Sequence, residues 1–266
     1  MSLLVQIQKK YNAFTEKEKS IATYILNKNG QIQNTSIIDL AKKTNTSGAT
    51  ITRFCKKIGC SSYVDMKIKL HITNSKEPST DAHTVFSDVY TYYSEVIERT
   101  KQLIDKALIY ELVEVIKSAR NIYIYGIGSS GLSAIEMMQR LLRMGFNVHA
   151  ISDTHMMIIN SAIVSEKDLV IGISVSGETE DVIHALKTSK NHGAKTVAIT
   201  SFEDSSITKF ADTTLIIYNS SFVERTRFIN SQFSTMYLLD LICTLLLKDN
   251  ILNDNYQITI DAIINN

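Results

Sequence analysis

Two short stretches concentrate glycines and side-chain hydroxyls at spacings that can hold an anion. Gly126-Ile-Gly-Ser-Ser-Gly131 follows the apolar run Asn121–Tyr125, and Ser174-Val-Ser-Gly-Glu-Thr179 follows the run Asp168–Ile173. Each reads as a strand, a tight turn and a helix start, a geometry that aims backbone N–H groups and the helix dipole at a negative charge. In the second stretch Ser174, Ser176 and Thr179 surround Gly177, which makes a phosphate cup that needs neither metal nor cofactor. In the first, Gly128 shapes the turn while Ser129 and Ser130 offer hydroxyls suited to a compact phosphate monoester.

Other chemistries compete for the same residues. The first stretch also spells G-x-G-x-x-G, and Asp153 stands 22 residues after Gly131, where a dinucleotide site would place its ribose-binding acid. An aldose-ketose isomerase would need a general base, for which Glu178, Glu180 and His155 are the candidates near the loops. Glu178 can project toward a sugar or serve as a first-turn acid suited to the helix N-terminus. His155 reads as a residue of a partly exposed helix. The final stretch, residues 253–266, contains no Lys, Arg, His or Glu to complete a catalytic set. Cys55, Cys60 and Cys243 show no C-x-x-C spacing, so they suggest neither a disulfide framework nor a zinc site.

The loops need a framework, and the chain supplies one. Short β-branched runs alternate with segments of helical length from about residue 121 to 220, which predicts a doubly wound, five-stranded parallel sheet in an α/β/α domain. In such a sheet the loops after the first and third strands face one another at the topological switch point, so both can grip one ligand. Two helices precede the first strand, and a long buried helix follows the last, over "FINSQFSTMYLLDLICTLLLKD".

The net charge of +1 conceals two opposite halves. Residues 1–76 hold 13 Lys and Arg against 4 Asp and Glu, whereas residues 77–266 hold 15 against 23. A basic segment joined to an acidic remainder points to a polyanion as partner of the first part alone. The only proline, Pro78, lies in a polar stretch where the balance changes sign, which predicts domains at 1–75 and 84–266 with a linker at 76–83. No apolar run approaches membrane-spanning length and no signal-peptide core opens the chain, so a cytoplasmic protein without membrane partner is expected.

Helix signals punctuate the basic segment. Thr15 with Glu18 and Ser36 with Asp39 have capping-box spacing, and Ser47 is placed to cap a helix ending near Gly59. In that helix Ile51, Phe54 or Cys55, and Ile58 would face inward, leaving Thr50, Thr52, Arg53, Lys56 and Lys57 mostly outward. Two helices joined by a short turn, the second basic and hydroxyl-bearing, form the pattern of a helix-turn-helix that reads the DNA major groove.

The stretch "LAKKTNTSGATITRFCKKIGCSSYVDMKIKL" resembles the helix-turn-helix domain of RpiR-type transcriptional regulators. The paired hydroxyl loops resemble the sugar isomerase (SIS) domain, a phosphosugar-binding module, over a core of about residues 108–245. The resemblance implies a sheet of flavodoxin-like order 2-1-3-4-5. It implies phosphosugar contacts from Gly128, Ser129, Ser130, Ser174, Ser176, Gly177 and Thr179, with Glu178 and His155 as secondary candidates. It implies DNA contacts from Ser47, Thr50, Thr52, Arg53 and Lys56. The expected function is a transcriptional regulator of carbohydrate metabolism whose occupancy of double-stranded operator DNA is controlled by a phosphosugar, assembled as a homodimer or homotetramer. The alternative is a sugar-phosphate isomerase carrying an accessory basic domain. Family members often have Arg where this chain has Gln232, with Arg225 and Arg227 as nearby substitutes. The helix after Ser231 and the tyrosine-bearing segment Val89–Ile97 are candidate interface elements.

Overall fold

The computed structural model describes residues 2–27, 32, 35–72, 83–220, 230 and 232–265, with the side chains of 71–72, 83–86 and 88 excepted. Pro78 and nearly all of the expected linker, together with Arg225, Arg227 and Ser231, lie outside the described residues. The chain divides into two compact units. The first contains residues 1–103 with 202–204 and 218–233, and the second contains 104–201, 205–217 and 234–266.

The first unit is helical: α1 (Leu3–Lys9), α2 (Glu16–Asn27), α3 (Ile37–Lys43), α4 (Gly48–Lys57), α5 (Tyr63–Ile72) and α6 (His83–Leu103). Its helix starts follow from the capping residues. The Thr15 amide donates to Glu18 at 2.9 Å while the Glu18 amide donates to the Thr15 hydroxyl at 3.4 Å, a reciprocal box. At α3 the box is incomplete. The Asp39 amide donates to Ser36 Oγ, but the Asp39 carboxylate accepts a hydrogen bond from the Ser36 hydroxyl at 2.6 Å. Aspartate is one methylene shorter than glutamate and meets the cap's side chain instead of its backbone. The turn between α3 and α4 passes through Asn45 at φ 51°, a left-handed conformation that asparagine tolerates. Ile21, Ile25, Leu26, Leu40, Ile51, Phe54 and Cys55 fill the core beneath these helices.

The second unit carries α7 (Lys106–Ser118), β1 (Asn121–Tyr125), α8 (Ser129–Arg143), β2 (Val148–Ile151), α9 (Thr154–Ser161), β3 (Asp168–Ile173), α10 (Glu180–Asn191), β4 (Lys195–Thr200), β5 (Thr213–Ile216), α11 (Phe233–Leu246) and α12 (Asn250–Ile264). All paired strands are parallel, in the order β2-β1-β3-β4-β5, which is the expected 2-1-3-4-5. Alternate residues of each strand feed opposite faces. Ile122, Ile124, Ile171 and Ile199 pack with α7, α8 and α11, whereas Tyr125, Val170 and Ala198 pack with α9 and α10. Every residue of β3 is buried, as befits the central strand covered on both sides. The long apolar helix begins at Phe233, later than the quoted run, and its face Leu238, Leu239, Ile242 and Leu246 is core.

Asp168 secures the end of the sheet opposite the loops. Its carboxylate receives Arg120, Asn121 and both the amide and hydroxyl of Ser165 at 2.7–3.3 Å. Burial opposes ionisation there, and the donated hydrogen bonds outweigh it, holding the carboxyl below its ordinary range. All three cysteines are free and buried. Burial pushes the Cys55 thiol up to about 12 and the Cys243 thiol to about 11, consistent with packing roles.

Candidate functional site

Most α-helices with a described N-cap are closed by the cap's side chain, but two are not. Ser2, Ser36, Ser47, Asp105, Asp153 and Asp249 each accept from an amide in the first turn of α1, α3, α4, α7, α9 and α12. Gly128 before α8 and Thr179 before α10 make no such bond. These two helices follow β1 and β3, which are neighbours and end side by side, with Tyr125 paired to Gly172. Two open helix N-termini therefore stand at adjacent carboxyl ends of the sheet, where orphan N–H groups favour an anion.

The loop before α8 is shaped by its glycines. A Cβ at Gly126 would lie 2.6 Å from the Ser130 carbonyl oxygen, and one at Gly131 would lie 2.9 Å from the Gly126 oxygen. Gly128 sits at φ 60°, ψ −128°, a conformation reserved for glycine. Ser129 is exposed and Ser130 half-buried.

The loop before α10 is an internally bonded cup. The buried Ser174 hydroxyl meets Thr179 Oγ1 at 2.8 Å and accepts from the Gly177 amide at 3.1 Å. Ser176 is exposed, and its hydroxyl accepts from the Glu178 amide at 3.2 Å. Thr179 spends its hydroxyl on Ser174 and leaves the first turn of α10 uncapped. Gly177, at φ 71°, is pressed against its neighbours: a Cβ there would lie 2.1 Å from Ser205 Oγ and 2.8 Å from Thr200 Oγ1.

The residues weighed for other chemistries are occupied elsewhere or stand apart. Asp153 caps α9, accepting from the Met156 amide at 2.8 Å, so its carboxylate serves the helix. Glu178 accepts from the Ser206 amide at 2.9 Å. His155 is exposed on α9. The structure thus brings the two serine-bearing loops to one sheet edge and leaves His155 on a helix surface after β2. Gln232 is buried, its backbone N–H donating to Asn230 Oδ1 at 2.8 Å.

In the first unit, α4 presents a narrower face than its sequence suggests. Ser47 is exposed and caps the helix, while Thr52, Arg53 and Lys56 are exposed along it. Thr50 is buried, with its hydroxyl 2.9 Å from that of Ser47, because its position continues the row that packs inward. Arg53 reaches toward Thr50 at 3.5 Å and lines, with Thr15, Glu16, Lys17, Glu18 and Thr50, a cleft of about 540 Å³. Lys57 is turned away from this face: its ammonium donates to the Ala13 carbonyl at 2.8 Å and to Glu18 at 2.9 Å, and lies over the Phe14 ring. It clamps α4 to the start of α2.

A basic helix-turn-helix followed by an α/β/α fold with paired serine-bearing loops at its strand ends defines a class of ligand-responsive regulators. The helix-turn-helix domain model of the rpiR family matches residues 1–77, and the SIS domain model matches residues 115–245. An HTH-type transcriptional regulator of Haemophilus influenzae is 32% identical, with 99% of this chain and 96% of that protein aligned. Another, of Thermotoga maritima, is 29% identical over 92% of each chain. Among solved structures, the NanR protein of Vibrio vulnificus, complexed with ManNAc-6P, superposes with a TM-score of 0.63 at 25% identity, covering 99% of this chain and 98% of that one. The sugar isomerase domain of an RpiR transcription factor from Sphaerobacter thermophilus shares the fold, with a TM-score of 0.60 over 68% of this chain and 98% of that one. The chain belongs to the RpiR family of helix-turn-helix transcriptional regulators with a SIS domain.

Proposed function

We propose that the chain binds operator DNA through α4 and a phosphosugar through the loops before α8 and α10, the second event controlling the first. The observation that carries the ligand half is the pair of uncapped helix N-termini at adjacent strand ends, each with an exposed serine beside it, Ser129 and Ser176. Amides and hydroxyls bind a phosphate without the desolvation cost of a buried lysine. Gly128, Ser129 and Ser130 face one side of the ligand, and Ser174, Ser176, Gly177 and Thr179 hold the phosphate. Glu178 and His155 are secondary contacts at the sugar end. Similarity to the ManNAc-6P complex of NanR supports the ligand class and makes that compound the first to test.

On the DNA side, Ser47, Thr50, Thr52, Arg53 and Lys56 form the reading face, with Thr50 acting through Ser47. Paired heads on a two-fold operator require a homodimer or homotetramer, and residues 1–75 and 84–266 act as reading and sensing domains in the cytoplasm. We read the chain as a sensor without turnover, since the Glu178 carboxylate is engaged by the Ser206 amide.

A thermal-shift screen of the full chain against glucose 6-phosphate, fructose 6-phosphate, N-acetylmannosamine 6-phosphate and inorganic phosphate tests the ligand. A phosphosugar that binds the folded state raises the melting temperature in proportion to the logarithm of its concentration over Kd. Stabilisation by a phosphosugar beyond that by phosphate supports the proposal; stabilisation by none contradicts it. Isomer formation from the stabilising sugar, abolished by Glu178→Gln, would favour the isomerase alternative.

A further inference from the structure

Between β4 and the 3-10 turn Ser206–Phe210 runs the segment Ser201-Phe-Glu-Asp-Ser-Ser206, whose ends and middle keep different company. Its distal end belongs to the second unit and is knitted to the phosphate cup. The Ser206 amide donates to Glu178 at 2.9 Å, the Ile207 amide donates to the Gly177 carbonyl at 3.0 Å, and Ser205 abuts Gly177 so closely that only hydrogen fits between them. Its middle, residues 202–204, belongs to the first unit. There Phe202, 7% exposed, lies with its ring 5.4 Å from that of Tyr11, and Glu203 pairs with Lys9 at 2.8 Å.

The contacts continue inside the first unit. The Tyr11 hydroxyl bonds to Thr23 of α2. The start of α2 is bound to α4 by Lys57, which holds Ala13 and Glu18, and by the Phe14–Phe54 ring contact at 5.1 Å. Within the first unit, Phe202 is thus linked to α4 through Tyr11, α2 and Lys57.

We propose that residues 201–206 are the coupling strap of this regulator: occupancy of the cup by a phosphate displaces Ser205 and Ser206, and Phe202 and Glu203 pass the displacement to Tyr11 and Lys9. Consecutive Cα atoms are held at about 3.8 Å, so only three such links separate Ser205 from Phe202. The partly exposed lysine–glutamate pair contributes little stability by itself, which suits a contact whose work is to register one segment on another. Phosphosugar binding and DNA binding then become linked, reciprocally, through a contact that touches neither ligand. The inference rests on the proposed function and names the transmitting residues within it.

The test uses the full chain and a duplex selected by it from random DNA. The dissociation constant for the duplex is measured without phosphosugar and with saturating glucose 6-phosphate, fructose 6-phosphate or N-acetylmannosamine 6-phosphate, in the wild type and in Phe202→Ala. The wild-type ratio is expected in the range of about 5–150-fold. Phe202→Ala should bring it below about 2-fold while DNA affinity and phosphosugar affinity, each measured alone, stay near wild type, and Phe202→Tyr, which keeps the ring, should retain it. If Phe202→Ala fails to fold, the surface pair decides: Glu203→Lys should lower the ratio and Glu203→Lys with Lys9→Glu should restore it. An unchanged ratio in Phe202→Ala, or in Glu203→Lys where that variant decides, overturns the strap alone. A wild type that binds DNA but shows no ratio with any of these sugars overturns the proposed function and the strap with it.

Discussion

The hydroxyls of Ser174 and Thr179 meet at 2.8 Å across the turn between β3 and α10. Thr179 makes this bond in place of a cap on the first amides of α10, which in the proposed site preorganises the cup for a ligand at the expense of the helix cap. Replacing Thr179 by Ser keeps the hydroxyl, whereas Thr179→Val removes it and keeps the shape. Thr179→Val should weaken phosphosugar binding by about 1–3 kcal/mol with DNA affinity unchanged, and Thr179→Ser should stay near wild type. Isothermal titration with the stabilising phosphosugar reads both.

Gly177 offers a harsher test of the same loop. A side chain there would be strained at φ 71° and would collide with Ser205 Oγ at 2.1 Å. Gly177→Ala should cost more than about 1 kcal/mol of stability and abolish the thermal shift with phosphosugar. Chemical denaturation with and without ligand measures the two effects separately.

On α4, adjacent lysines should behave differently. Lys56 is exposed on the proposed reading face, so Lys56→Ala should weaken DNA binding across sequences and reduce the slope of log K against log salt by about 1. Arg53→Ala should cost about 1–3 kcal/mol of operator affinity. Lys57 is committed to Ala13 and Glu18, so Lys57→Ala should lower the melting temperature and leave the salt slope closer to wild type. Fluorescence anisotropy over a salt series distinguishes them.

Acid should loosen the sheet through Asp168. Its carboxyl is held below the ordinary range in the folded state, so its contribution is fully present above the unfolded value, near 3.8, and is lost as pH falls through the lower folded value. The melting temperature should therefore fall as pH drops below about 4. Asp168→Asn should be less stable than wild type at pH 7, with the gap narrowing toward acid. Circular dichroism melts at a series of pH values give the comparison.

Much of the framework was legible because the residues that set it act locally. Alternating β-branched runs announced the parallel sheet and its loops, and Ser47 announced the start of α4. The register of hydroxyls was less legible. A sequence places Ser174 and Thr179 in one loop but does not say that they bond to each other and leave α10 open. Helical spacing places Thr50 mostly outward, yet the helix turns it toward Ser47, and Lys57 bends back to α2 because a long flexible stem can reach two acceptors there. Asp153 had the spacing of a ribose acid and proved to be an N-cap, a role that also favours a short acidic side chain just before a helix. The association of residues 202–204 with α1 and Tyr11 joins positions nearly 200 apart in sequence, and no local pattern encodes it.

The most direct measurement of ligand-controlled DNA binding is a titration of the full chain bound to its selected duplex with the phosphosugar that raises its melting temperature, followed by anisotropy. The predicted result is a saturable change in DNA affinity for the wild type that is lost in Ser176→Ala, with the variant's affinity for DNA alone retained. DNA affinity that stays constant through saturation of the wild type with that phosphosugar would contradict it.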